Sequence, residues 1–222
     1  MTGQGVPAES AARSPLVAIY ADESCLGNGR EGSNPGAAAG VIEYVHPQSG
    51  NLSRWDYWVS EPATTNNRMA LRSVIEPLRA IARKGVRFRV LFTSDSQYLV
   101  KGMSEWVFGW MARGWKKKDG PILNLELWAE AVDAARGHQV SWRWVRGHAG
   151  HPQNEYANFL ATRAARDQSS SDGLAASGFD EWLALERAKG HGVEPERFPE
   201  DAQFRALRPY PAPPRRTQLE EG

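Results

Sequence analysis

The chain has 222 residues, 41% of them hydrophobic, and a formal net charge of +1, which suits one ordinary domain with an appendage. The near-zero charge excludes a uniformly basic nucleic-acid binder, so any nucleic-acid footprint has to be local. No apolar run reaches the length of a membrane span, and the single cysteine, Cys25, excludes a disulfide framework and a paired-cysteine zinc site. We expect a cytoplasmic monomer without a membrane partner.

The first predicted element is an apolar strand over residues 16–22 that ends in a carboxylate, Asp22. A continuous apolar run is typical of a strand buried on both faces, and α/β proteins place their chemistry at the ends of such strands. Taken alone, Asp22 would be interpreted as a turn or capping residue. Residues 1–14 are small and polar, and we expect them to be disordered.

Three further strands and a long helix are predicted next. The strands are predicted over residues 40–45, 52–60 and 87–92. Between the last two, Thr64–Asn67 is typical of a helix N-cap, and the apolar period that follows predicts a helix to about residue 84, kinked by Pro77. The fourth strand leads into Asp95, so a second carboxylate follows an apolar strand.

The remaining elements complete one domain, after which the composition changes. Helices are predicted over residues 97–103, 104–113, 123–136 and 152–166, and a fifth strand over 139–145. Three antiparallel strands followed by crossovers that add parallel ones predict an α/β domain with a mixed sheet over residues 15–167. Residues 168–222, the C-terminal extension, are predicted to hold a linker, a short helix over 179–189 and a disordered Pro/Arg-rich tail.

Six segments in this order resemble ribonuclease H of type 1, the bacterial and eukaryotic family, over roughly residues 16–166. They are Asp22-x-Ser-Cys-Leu-Gly-Asn28, Thr64-Thr-Asn-Asn-Arg-Met69, Thr93-Ser-Asp-Ser-Gln-Tyr98, Trp106-x3-Trp110-x4-Trp115, Asn124-x3-Trp128 and Trp144-Val-Arg-Gly-His-Ala-Gly-His-Pro-x-Asn-Glu155. The resemblance implies a ribonuclease H-like fold, with a five-stranded mixed sheet flanked by helices. It also implies metal-dependent endonucleolytic hydrolysis of the RNA strand of an RNA/DNA hybrid.

In this family four carboxylates hold two Mg²⁺ ions, and the resemblance carries only part of that set onto this chain. Asp22 and Asp95 match two of the family's Asp residues, whereas Ala70 stands where the family has Glu and Asn158 where it has the last Asp. The implied catalytic ligands for Mg²⁺ or Mn²⁺ are therefore Asp22, Asp95 and, through its carbonyl oxygen, Asn158. Because two carboxylates leave much of the charge of two divalent ions uncompensated, we expect weakened metal binding and severely weakened cleavage.

Glu23 follows Asp22 at a position where the family usually has Gly, which makes it a candidate replacement for the missing acid. Neighbouring residues of a strand point to opposite faces, so Glu23 would need a turned backbone to reach a metal beside Asp22. Because surface Glu is far commoner than buried Glu, we expect Glu23 to be exposed. Its presence favours natural divergence over deliberate inactivation as the origin of Ala70 and Asn158.

The other matched residues concern proton transfer and substrate binding. His148 matches the family's loop histidine, a proton shuttle, and the ordinary pKa of histidine suits that role. Substrate contacts are implied for Cys25, Asn28, Asn66, Asn67, Ser96 and Gln97 and, in the basic protrusion, for Trp106, Arg113, Lys116, Lys117 and Lys118. Amides can bind 2′-hydroxyls, and Lys and Arg can pair with phosphates. The structural alternatives are turn and capping roles for the amides, a buried inert thiol for the cysteine and a solvated surface for the charge run.

Three functions remain open from the sequence. The first is a ribonuclease H that works with a reduced ligand set, and the second is a catalytically silent binder of RNA/DNA hybrids or double-stranded nucleic acid. The third is a protein-interaction module that uses the extension, whose apolar residues Phe179, Trp182, Leu183 and Leu185 could pack on the domain or on a partner. The matched amide and lysine positions favour the first two. Trp128 and Trp144 are predicted to be core residues.

Overall fold

The computed structural model describes residues 14–27, 34–147 and 149–213, so the segment 1–13, Asn28 and His148 lie outside the described residues. Its strands are β1 Leu16–Cys25, β2 Gly36–Val45, β3 Leu52–Glu61, β4 Arg89–Ser94, β5 Gln139–Trp144 and β6 Ala175–Ala176. The sheet order is β5-β4-β1-β2-β3-β6, with β1, β4 and β5 mutually parallel and the other pairs antiparallel. The predicted mixed sheet is confirmed, and the two-residue β6, from the extension, makes it six-stranded rather than five-stranded.

The α-helices of the described residues follow the predicted order. They are α1 Asn66–Ala82, α2 Gln97–Lys101, α3 Val107–Ala112, α4 Leu125–Arg136, α5 Pro152–Asp167 and α6 Phe179–Ala188. α1 begins as predicted, with the Thr65 hydroxyl accepting from the Arg68 N–H, and it continues through Pro77. Instead of two separate helices after residue 97, a π-helical turn over Gly102–Trp106 joins α2 to α3. No helix in the described ranges is long and apolar enough to span a membrane.

At Gly102 the Trp128 ring lies directly against the helix backbone. A Cβ added there would lie 1.9 Å from the Cη2 atom of Trp128. Trp128 is fully buried, as predicted, and neighbouring aromatic rings pack against it. We expect Gly102→Ala to lower the free energy of unfolding by about 3 kcal/mol, because neither ring nor backbone can shift cheaply. Gly109→Ala is the matched control in the same helical run, since its Cβ meets only the flexible end of Arg113 at 3.4 Å. Urea unfolding measures both, and equal losses would contradict this account of the packing.

Alternation along β1 distributes its side chains between two cores on opposite faces of the sheet. Ala21 belongs to the core formed with α1 and α4, whereas Tyr20 belongs to the core formed with α5 and α6. Because the side-chain period of a strand is two, Glu23 lies on the α1 face and Asp22 on the α5 face. The two adjacent acids therefore reach the end of β1 from opposite sides.

The first part of the extension packs on the α5 face. β6 pairs with β3, and Phe179, Trp182 and Leu183 of α6 are buried in the α5 core, while Leu185 is exposed. Of the two possibilities left open by the sequence, packing on the domain is therefore the one observed for three of these four residues.

The tail of the extension crosses to the other face and is ordered as far as it is described. Tyr210 is buried in the α1 core, stacks on Phe108, donates to the Met103 carbonyl oxygen and accepts from the Trp142 indole N–H. The disorder expected for the tail is therefore wrong for residues 209–213, because a single aromatic residue supplies tertiary contacts that the composition does not reveal.

Candidate active site

The candidate site lies where β1 and β4 end side by side. The two strands pair in parallel with Ala21 opposite Ser94, so Asp22 and Asp95 follow at the same edge of the sheet. Fully buried residues earlier in both strands, among them Ile19 and Phe92, fix this register. The fold thus brings together the two aspartates that the sequence assigned as metal ligands.

Asp22 is buried between β1 and α5, with 7% of the residue exposed. The Glu23 N–H donates to its Oδ1 at 2.7 Å, and the Asn154 side-chain amide donates to its Oδ2 at 3.4 Å. Burial, followed by the charge of Asp95, raises the pKa of Asp22 to about 8 against the opposing effect of these hydrogen bonds. The sequence did not single out Asn154 for this contact, although it belongs to a segment that resembles the family.

Glu23 is half-buried, so the expectation that it is an exposed surface residue is wrong. Its Oε2 is buried without a hydrogen-bond partner, and the Ser96 hydroxyl donates to the carboxylate. Burial, followed by the charges of Asp22 and Asp95, holds the pKa of Glu23 well above its ordinary range. β1 stays a regular strand through Cys25, so the side chain approaches from the α1 face and no turned backbone is needed.

Ala70 lies on that same α1 face. It is fully buried and shares a core with Ala21 of β1. The start of α1 packs over this end of the sheet, since a Cβ added at Gly36 would lie 3.3 Å from the Met69 Cγ. Glu23 therefore places a carboxyl group on the same face, and at the same end of the sheet, where Ala70 lacks one.

Asn158 is half-buried on the face of α5 that contacts β1. One turn before it, Asn154 bonds to Asp22, and one turn after it the Thr162 hydroxyl lies 3.4 Å from the Ser24 hydroxyl. Because residues four apart share a helix face, Asn158 lies level with residues 22–24. Its position is consistent with the ligand role implied by the resemblance.

The histidine loop, residues 145–151, packs against Asp95. A Cβ added at Gly147 would lie 2.2 Å from the Asp95 Oδ2, so any other residue there would displace the carboxylate or the loop. The Trp144 indole N–H donates to the Asp95 carbonyl oxygen at 2.9 Å, and 45% of Trp144 is exposed, so its assignment as a core residue is wrong. The loop that carries His148 therefore leaves the sheet beside the acids.

Asp22, Glu23 and Asp95, called the carboxylate cluster below, have the donor chemistry of a divalent-cation site. A buried carboxylate oxygen without a partner is costly, and a cation bound to it would offset that cost. Hard oxygen donors of this kind are the ligands that Mg²⁺ prefers. Across residues 14–27, 34–147 and 149–213, no three His, Cys, Asp or Glu side chains already converge on one metal position. The donors fit a cation, although the carboxylates are not drawn together around a common point.

The predicted substrate contacts at the helix starts lie around this cluster. Asn66 is half-buried with its Oδ1 unpartnered, and Asn67 is exposed beside it. Ser96 caps α2, and Gln97 is exposed as the first residue of that helix. Cys25 is half-buried, and burial raises the pKa of its thiol, which keeps the thiol neutral.

The basic protrusion presents its charges to solvent. The Trp106 ring packs against Tyr98 and Trp110 and is 36% exposed. The Arg113 Nε donates to the Lys116 carbonyl oxygen at 3.1 Å. All three lysines, residues 116–118, are exposed. Aromatic packing thus holds a cationic surface that is free to meet a polyanion.

Comparisons with known proteins all indicate one family. A family model for RNase H matches residues 14–166. The ribonuclease H of Cupriavidus necator is 48% identical over 149 residues, which cover 66% of this chain and 93% of that protein. The ribonuclease H of Pelobacter propionicus is 44% identical over 158 residues, which cover 71% of this chain and 88% of that protein. The crystal structure of LC9-RNase H1, described as a type 1 RNase H with the type 2 active-site motif, is 60% identical, with a TM-score of 0.84 over 90% of this chain and 95% of that one. This last similarity includes part of the extension.

Proposed function

Because this chain belongs to the ribonuclease H family, we propose that it hydrolyses the RNA strand of RNA/DNA hybrids with Mg²⁺ or Mn²⁺ as cofactor. The observation that carries the proposal is the buried Glu23 carboxylate beside Asp22 and Asp95, on the face where Ala70 offers no acid. The description of LC9-RNase H1 as a type 1 enzyme with the type 2 motif supports an altered acid arrangement rather than a lost one.

In this proposal the carboxylate cluster and the Asn158 carbonyl oxygen hold the divalent cations. Cations bound there would supply Lewis-acid activation of a water and stabilisation of the leaving oxygen of the phosphodiester. The chain's own contribution is orientation. The Glu23 N–H and the Asn154 amide fix the Asp22 carboxylate, and the Ser96 hydroxyl holds Glu23.

His148 is proposed to move a proton near the scissile phosphate. Its chain neighbour Gly147 packs on the Asp95 carboxylate. A histidine of ordinary pKa gains and loses a proton near neutral pH, which suits a shuttle.

Hybrid binding is assigned to the amides and to the basic protrusion. The buried Asn66 Oδ1 has no donor within the described part of the chain, and a 2′-hydroxyl of the RNA strand would supply one. Asn28, Asn67 and Gln97 are proposed to share this role. The exposed cations at 113 and 116–118 pair with phosphates of the DNA strand and release counterions.

The severe weakening expected from Ala70 and Asn158 assumed that two acids are lost. With Glu23 in the cluster only the charge of the last Asp is missing, so we propose that cleavage is retained. The alternative, a silent binder of hybrids, is favoured by one observation. Among the described residues no three acidic, histidine or cysteine side chains are already arranged around a metal position.

Cleavage of a labelled RNA/DNA hybrid in Mg²⁺ and in Mn²⁺ distinguishes these possibilities, with binding of the uncut hybrid recorded in parallel. The unmodified chain is expected to cut the hybrid. Asp95→Asn is expected to bind the hybrid but to cut it at least about a hundredfold more slowly. Asp133→Asn, an exposed acid of α4, is the matched control. Binding without cleavage by the unmodified chain would establish the silent binder, and absence of both would reject hybrids as the substrate.

A further inference from the structure

The C-terminal extension reaches back to the candidate site through Glu196. Gln153, at the start of α5, pairs its side-chain amide with both main-chain groups of Glu196. Its Nε2 donates to the carbonyl oxygen at 2.8 Å, and its Oε1 accepts from the N–H at 3.0 Å. Only 1% of Gln153 is exposed, so without the extension its buried side-chain oxygen would lose the donor that Glu196 supplies. The main chain at residue 196 is therefore held in a defined place.

The carboxylate of Glu196 then bridges the two ends of the histidine loop. Its Oε1 lies 3.0 Å from the Nδ1 of His151, the last residue of the loop. Its Oε2 accepts from the guanidinium of Arg143, two residues before the loop begins. The Arg143 Nε also donates to the Thr93 hydroxyl on β4 at 3.0 Å, so this end is tied to the strand that leads to Asp95. One side chain thus fixes the separation of the loop ends.

The loop between these ends contains two glycines. It contains Gly147 and Gly150, the latter with φ +80°, and glycine gives a backbone unusual freedom. Gly147 fits so closely against Asp95 that a side chain there would displace the carboxylate or the loop. A change in the separation of the loop ends would therefore move Gly147 relative to the acid.

We infer that Glu196 is a positioning residue for the histidine loop, acting through His151 and Arg143 without touching the substrate. The inference rests on the proposed function, because it presumes that His148 takes part in cleavage. The match to the family model ends at residue 166, so this bridge comes from a part of the chain outside the matched domain.

A double-mutant cycle between Glu196→Ala and His148→Ala tests this inference through hybrid cleavage. Glu196→Ala is expected to lower kcat about tenfold and to leave KM within about twofold, because misplacing a catalytic group affects the chemical step more than binding. In the His148→Ala background the same substitution is expected to have no further effect, since no group remains to be positioned. Glu196→Gln, which like Glu196→Ala keeps the main-chain pairing with Gln153, is also expected to lower kcat.

The matched control is Glu194→Ala, two residues away, whose side chain is 85% exposed and pairs with Arg187. It is expected to leave kcat and KM unchanged. All assays are run well below the lowest thermal unfolding midpoint among these variants. Equal losses from Glu196→Ala in both backgrounds, or a loss of thermal stability alone, would overturn the inference. Full activity of His148→Ala, or no cleavage by the unmodified chain, would overturn the proposed function and the inference with it.

Discussion

Glu23→Gln is expected to slow hybrid cleavage by about a hundredfold or more while leaving the affinity for uncut hybrid within about twofold. The amide keeps the size of the side chain and its contact with Ser96, but it removes one of the three carboxyl groups of the carboxylate cluster. Because the acid it replaces is buried with an unpartnered oxygen, the variant is expected to unfold at the same or a higher temperature without metal. A lost rate can therefore be separated from a lost fold.

The control for this substitution is Glu181→Gln on the exposed surface of α6. A rescue variant sharpens the test. Glu23→Gly empties the space on the α1 face, and Ala70→Glu in that background is expected to recover at least part of the lost rate. Full activity of Glu23→Gln would show that Asp22 and Asp95 suffice and that Glu23 is a passive buried acid.

As the pH is raised toward 8, the affinity for a divalent cation is expected to increase by up to about tenfold per pH unit for each proton that the cation displaces. The pKa of Asp22 is raised to about 8, and that of Glu23 is held well above its ordinary range, so both acids carry protons at mildly acidic pH. Proton and cation compete for the same oxygens, so lowering the pH weakens binding. The contribution of Asp22 levels off once the pH exceeds about 8.

Calorimetric titration with Mn²⁺ at several pH values, in buffers of different ionisation enthalpy, measures both the affinity and the protons released. Asp22→Asn is expected to bind more weakly and to reduce the pH slope by one proton. A cation affinity that does not change between about pH 6 and 8 would contradict the burial of these acids in the unbound chain.

The sequence predicted the sheet and the two aspartates because the signals are local. Each of β1 and β4 is an apolar run that ends in an acid, and parallel neighbours place such ends together. The expectation that Glu23 is exposed is wrong for a specific reason. Strand alternation correctly assigns it to the face opposite Asp22, but only the packing of α1 shows that Ala70 lies on the same face and that α1 covers this end of the strand.

The extension was predicted least well because its order comes from distant partners. The sequence around Glu196 and Tyr210 has no helical or strand period. Both residues are fixed by side chains elsewhere in the chain, namely Gln153 for the first and Trp142 for the second. Such contacts leave no trace in local composition, which is why the tail was expected to be disordered.

Anomalous diffraction from crystals of the unmodified chain grown with Mn²⁺ tests the central claim, that Glu23 replaces the missing acid as a metal ligand. The account predicts an anomalous peak with carboxylate oxygens of Asp22, Glu23 and Asp95 within about 2.5 Å. A peak bound by Asp22 and Asp95, with the Glu23 carboxylate turned away from it, would contradict the claim.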